Sequence, residues 1–140
     1  MNIELCKAEI KRHEGEVLEI YMDSLGYKTL GVGHLCQPSD PEYNWEVGTP
    51  VTQEVVDMYY KDDFEKHYKE TIHVFGSEED FENLPEPIQR VLVNMCFNLG
   101  GTRLSKFRNM LKACREHNWK EMAKQMEDSR WFGQVGRRSK

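Results

Sequence analysis

Apolar residues recur along this chain with two different periods, and the change between them divides it. Ile3, Cys6 and Ile10 fall three and four residues apart, which makes one face of a helix running to about Arg12. Asn2 is placed to cap that helix and Gly15 to end it. Beyond it the spacing tightens. Leu18 and Ile20, then Tyr27, Thr29, Leu30 and Val32, are strand formers separated by the turn chemistry of Asp23-Ser24-Leu25-Gly26. A small twisted hairpin or three-stranded sheet is predicted from about Val17 to Leu35. Gly31 and Gly33 flank Val32, a spacing that suits a backbone closely approached by another group. Gln37 to Pro50 carries three prolines and reads as loop.

The helical period then returns. Thr52 can cap a helix in which Val56, Tyr60, Phe64, Tyr68 and Ile72 recur every four residues, to about His73. That is roughly six turns, longer than a globular average. Its opposite face (Asp57, Lys61, Asp62, Glu65, Lys69) is charged, as befits a connector with much of its surface wet. Phe75 to Asn83 reads as an acidic loop. Pro85-Glu86-Pro87 opens a further helix with Ile88, Val91, Leu92, Met95, Cys96 and Leu99 on its core face. Val93 and Phe97 fill much of the remainder, so this helix belongs at the centre of a lobe, and Gly100-Gly101 ends it. Two short helices are predicted after it. One spans about Leu104 to Arg115 with Phe107, Leu111 and Cys114 inward; the other spans about Trp119 to Asp128, capped by Asn118, with Met122, Ala123 and Met126 inward. Ser129 to Phe132 suggests one more turn of helix, and Gly136 to Lys140 a basic tail.

The sum is one α+β domain over residues 1–140, mainly helical. A β-hairpin lobe (about 13–60) is joined by a long helix (about 52–73) to an all-helical lobe (about 74–140, plus the first helix), with a cleft between. The length of 140 residues suits that size. The net charge of -5 counts against a general nucleic-acid binder. No run of about 18 apolar residues predicts a membrane span, and the polar N-terminus shows no secretion signal. Cys6, Cys36, Cys96 and Cys114 form no C-x-x-C pair and lack zinc-site spacing, so free thiols are expected, without metal or cofactor. Nothing demands an oligomer, and a monomer is expected.

The candidate chemistry lies between His13 and His34. Glu14 sits at the carboxyl end of the first helix, where the dipole disfavours an ionised carboxylate; that suits a group which must hold a proton. Asp23 sits on the hairpin turn and Thr29 on the returning strand. We expect Glu14 and Asp23 to face each other across the cleft. His13-Glu14 does not begin an H-E-x-x-H zinc motif, since position 17 is Val17. Trp119 and Trp131 read as core, and Phe97 as either core or cleft.

In its run from Glu14 to His34 the chain resembles the phage T4-type lysozymes, the endolysin family of glycoside hydrolases. There, a glutamate after the first helix is followed nine residues later by an aspartate and six beyond by a threonine. Glu14, Asp23 and Thr29 keep that spacing, followed by G-V-G-H at Gly31 to His34. Further likeness lies in Thr52 to Asp63, Asn94 to Gly100 and Ser129 to Phe132, in order along nearly the whole chain. The resemblance implies hydrolysis of the β-1,4 bond between N-acetylmuramic acid and N-acetylglucosamine in peptidoglycan, with inversion. Glu14 would be the acid, Asp23 would orient water or stabilise developing positive charge, and Thr29 would help hold the water. It also implies that Leu35 and Phe97 line the sugar cleft, that Arg137 pairs with Glu14, and that His34 pairs with Asp63, which would raise the His34 pKa. Met110 and Gln125 replace a serine and an asparagine that border the cleft in T4-type members, implying altered subsites. Family members carry a further helix beyond the point where this chain stops at Lys140, so either the chain is cut or its second lobe closes differently.

The partner implied is a peptidoglycan strand. The family precedent is synthesis in the cytosol and release through a membrane pore to the bacterial wall. Two other classes compete: an inactive lysozyme-fold module that binds glycan or serves a larger assembly, and a glycosidase acting on chitin-like polymers. Digestion of purified peptidoglycan separates the first from an enzyme, and a chitin digest separates the second.

Overall fold

The structure, a computed structural model, describes residues 1–128. Arg137, Trp131, the turn expected over residues 129–132 and the basic tail lie outside the described residues. Among the described residues the chain runs α1 (Ile3–Glu14), β1 (Val17–Met22), β2 (Lys28–Gly31), β3 (His34–Leu35), a 3-10 turn (Pro41–Asn44), α2 (Gln53–Phe75), α3 (Glu78–Glu82), α4 (Glu86–Leu99), α5 (Gly101–Ser105), α6 (Arg108–Arg115) and α7 (Trp119–Glu127). The class is as predicted: mainly helical, with one small antiparallel sheet. No helix among the described residues is long and apolar enough to cross a membrane.

The sheet has the order β1-β2-β3, with Tyr21 opposite Thr29 and Leu30 opposite His34. The outer edge of β1 is covered by the chain around Pro50: Val51 N–H donates to Leu18 O and Ile20 N–H to Thr49 O. An otherwise open edge is thereby paired. α2 packs against β2 and β3 near its start and against α4 and α5 further on. Thr52 caps it by accepting from Val55 N–H, as Asn2 caps α1 and Asn118 caps α7. α4 carries the densest part of the core, with Leu92, Val93, Met95 and Cys96 at 0 % exposure. All four cysteines are free and buried, and burial pushes the thiols of Cys96 and Cys114 up to about 11.

Four expectations need correction. Phe75 to Asn83 is not simply loop, because α3 forms within it. Ser77 accepts from Asp80 N–H, and the acids that suggested a loop occupy a first helical turn, where the dipole favours them. Phe81 is thereby buried edge-on against Tyr68 and Phe75. The helix predicted over Leu104 to Arg115 is broken at Phe107, whose ψ of 58° is not helical, and α5 begins directly at Gly101. Leu104, Phe107 and Leu111 keep a helical spacing across that break, so periodicity could not reveal it. Ile3 and Ala123 are exposed instead of inward. Gln89 on α4 is buried, and its Nε2 donates to Glu82 O and Leu84 O, tying α3 to α4.

Candidate functional site

A cleft of about 1260 Å³ opens between the end of α1, the hairpin, the middle of α2 and the end of α4. Glu14, Asp23, Thr29, Leu35 and Phe97 all line it. A smaller hollow of about 670 Å³ lies between α2 and α5 and contains none of these residues.

Glu14 is the last residue of α1, and Gly15, with φ of 79°, turns the chain away immediately. The acid is therefore carried on a rigid element rather than a loop. Glu14 Oε1 accepts from Asn98 Nδ2 at 3.0 Å. One turn earlier on α4, Asn94 Nδ2 contacts His13 Nδ1 at 3.0 Å. These asparagines are four residues apart, on one side of the helix. They hold the last turn of α1 against α4. Neither was singled out from sequence as a site residue. The available signal was a pair of amides at helical spacing in the largely apolar second half of α4.

Gly33 closes the far side of the acid. A Cβ there would stand 2.9 Å from Glu14 Oε2, and its φ of +63° suits glycine besides. Gly31 makes room for α2 in the same way, since a Cβ there would stand 2.9 Å from Val56 Cγ1. The close approaches expected around Val32 are thus to the acid and to the long helix.

Asp23 is held by its own turn. Its Oδ1 accepts from Leu25 N–H and Tyr27 N–H, each at 2.9 Å, and Asp23 N–H donates to Tyr27 O. Oδ2 takes no part in that turn. Thr29 is buried, and its hydroxyl donates to Tyr27 O at 3.0 Å. With its proton so engaged, the Thr29 oxygen can act toward a water as an acceptor. Leu35 is 43 % exposed at the cleft mouth, whereas Phe97 is 8 % exposed and packs edge-on against Tyr60 and His67. Phe97 is thus core and cleft wall at once. Met110 is buried, Gln125 donates to Glu121 Oε1, and neither is among the residues lining the cleft. The altered subsites expected at these two positions do not follow from the described cleft.

His34 pairs with Asp63, through Nδ1 at 2.7 Å, and also with Asp40, through Nε2 at 2.8 Å. Its ring stacks on Tyr59 at 3.9 Å, and Tyr59 donates to the buried Glu42 at 2.6 Å. Burial works against the charged imidazole, but the hydrogen bonds to Asp63 and Asp40 outweigh it, so the His34 pKa is raised. Burial likewise opposes the Asp40 carboxylate, yet hydrogen bonds from Gln37 N–H and from His34 hold its pKa below the usual value. Asp40 lies in the proline-containing loop, and no periodicity marked it as a partner. Along the cleft wall, burial holds the His67 imidazole toward its neutral form. His67 is also one of three side chains, with Glu70 and Cys96, whose donor atoms converge.

The phage lysozyme family profile matches residues 11–140. The chain is 30 % identical to "Probable T4-type lysozyme 2" of Dictyostelium discoideum, over 95 % of this chain and 88 % of that one. It is 28 % identical, with the same coverage, to "Probable T4-type lysozyme 1" of the same organism. It is also 29 % identical to the "Pre-baseplate central spike protein Gp5" of Enterobacteria phage T4, over 94 % of this chain but 26 % of that protein.

Proposed function

Because the chain belongs to the phage lysozyme family, we propose that this glycosidase is a muramidase. In this reading it cuts the β-1,4 bond between N-acetylmuramic acid and N-acetylglucosamine in peptidoglycan, with Glu14 as the general acid. Glu14 gives its proton to the departing glycosidic oxygen. Asp23, on the hairpin side of the same cleft, faces the anomeric carbon from the other side, where it orients a water and stabilises the positive charge that builds on the sugar ring. Thr29 accepts a hydrogen bond from that water. Leu35 and Phe97 offer apolar surface to the sugar. Asn98 is a positioning residue, since its amide fixes the rotamer of Glu14.

The observation that carries this reading is the presence of Glu14, Asp23 and Thr29 in one cleft, brought there by three different elements. The test is to incubate the protein with purified peptidoglycan and identify the new reducing ends, with chitin digested in parallel. The reading requires N-acetylmuramic acid at the new ends and little attack on chitin. Release of N-acetylglucosamine ends from both polymers would replace it with the chitin-type alternative.

One observation favours a second reading. The match to the central spike protein covers only 26 % of that protein, so lysozyme-type sequence also occurs within a larger chain. An inactive module would bind peptidoglycan and release no ends in the same assay.

A further inference from the structure

We infer that His67, Glu70 and Cys96 form a binding site for a divalent cation of borderline softness, with zinc the best match, at the junction of α2 and α4. His67 and Glu70 stand three residues apart on one face of α2, and Cys96 reaches toward them from α4 at 0 % exposure. Their donor atoms all lie within 4.8 Å of one another. His67 Nδ1 and Glu70 Oε1 pair with each other at 2.8 Å, a contact that needs a proton or a cation between the two atoms, and burial disfavours the charged imidazole. With the imidazole neutral at Nδ1, a shared cation is an arrangement that satisfies both atoms. The other carboxylate oxygen of Glu70 accepts from Gly101 N–H at 3.3 Å, which anchors the side chain from behind.

One imidazole, one carboxylate and one thiol select the metal class. Magnesium and calcium take oxygen donors, whereas zinc accepts nitrogen, oxygen and sulfur together. Donors around one tetrahedral zinc, with bonds of about 2.0–2.3 Å, stand about 3.3–3.7 Å apart. The His67–Glu70 pair would therefore part by about 0.5 Å, and Cys96 Sγ would move in by no more than about 1.5 Å. On binding, the Cys96 S–H bond breaks and its proton leaves to solvent. The sulfur pair, the Nδ1 lone pair of neutral His67 and a Glu70 oxygen each form a bond to the metal, and water fills the fourth position. No electron is transferred. His67 borders the cleft and Glu70 the smaller hollow, so the junction is approached from two sides. The cation would pin α2 to α4 directly beside Phe97, whose ring centroid lies 5.2 Å from that of His67.

The test uses the full chain, reduced and metal-free, titrated with cobalt(II) as a spectroscopic stand-in and then with zinc. We expect one equivalent of cobalt to give a thiolate-to-metal charge-transfer band in the near ultraviolet, which zinc abolishes by displacement. Cys96→Ser removes the band and Cys36→Ser keeps it. His67→Gln weakens zinc binding by more than the roughly 10–100-fold that losing a supporting residue costs, with circular dichroism unchanged. If Cys96→Ser fails to fold, His67→Gln carries the comparison through the same band. No charge-transfer band at saturating cobalt, a band of undiminished strength in the Cys96 variant, or undiminished metal affinity in the His67 variant overturns the site.

Discussion

The two sides of the cleft are built on different physics. On the hairpin side, a small apolar core of Ile20, Leu30 and Val32 is joined by a network of buried polar contacts around His34. His34 is clamped between Asp40 and Asp63, Tyr59 is bonded to a buried Glu42, and Lys28 Nζ donates to Trp45 O at 2.7 Å. On the helical side, α4 is packed through Leu92, Val93, Met95 and Cys96, and polar contacts enter at its cleft end through Asn94 and Asn98. The difference suits the proposed roles of the two acids. Glu14 is held by a helix end and an amide from α4, as a proton donor of fixed direction would need. Asp23 is held through one oxygen by two N–H groups of its turn, which leaves the other outside that turn. A polar frame also answers to pH, whereas an apolar one does not.

The largest expected effect separates the two acids. Glu14→Gln keeps the acceptor that Asn98 uses and removes only the transferable proton, so the rate of reducing-end release should fall by about 10²–10⁴ with the melting curve unchanged. Asp23→Asn retains the turn acceptor and should lose less, because a neutral amide still orients water. Equal losses in the same assay would count against assigning the acids different tasks.

Next come the two frames. The His34 pKa is raised above its ordinary 6.5, so its pairing stabilises fully below that value and is lost as pH rises through the folded pKa. The Asp40 pKa is lowered from 3.8, so its contribution holds above that value and is lost as pH falls through the folded pKa. The cluster is thus strongest in mild acid. His34→Asn should cost about 3–5 kcal/mol there, since it leaves two carboxylates facing each other, and distinctly less in alkali. Leu92→Ala should cost about 2–5 kcal/mol at either pH. Denaturant unfolding of both variants at two pH values checks this; a pH-independent loss for His34→Asn would erase the contrast between the frames.

Smaller effects sharpen the helical side. Gly33→Ala places a methyl against Glu14 Oε2 and costs about 1–2 kcal/mol for its left-handed backbone, with a fall in rate beyond what unfolding explains. Asn98→Leu removes one hydrogen bond to the acid, worth about 1.5 kcal/mol or tenfold in kcat, with KM little changed. A loss confined to KM would place Asn98 in binding instead of in positioning Glu14.

Much of this was legible in the chain itself. The caps at Asn2, Thr52 and Asn118, the strand formers around the Asp23 turn and the near-continuous apolar run of α4 each state their element locally. Glu14, Asp23 and Thr29 stood out through a spacing shared with the T4-type lysozymes, and the structure brings them to one cleft. What escaped was set by tertiary contacts. Asp40 meets His34 from six residues on, through the path of an aperiodic loop, and Asn98 meets Glu14 across 84 positions. The break at Phe107 and the helix at Glu78 depend on backbone turns that an apolar period does not record.

The most direct measurement is the configuration of the first sugar released from a soluble peptidoglycan fragment, followed by proton NMR before mutarotation. The proposed arrangement, two acids on opposite sides of the sugar with a water held by Asp23, predicts inversion at the anomeric carbon. That outcome needs carboxyl groups about 6.5–9.5 Å apart, whereas retention needs a carboxylate nucleophile at about 5–5.5 Å. Release of the retained anomer would contradict the account.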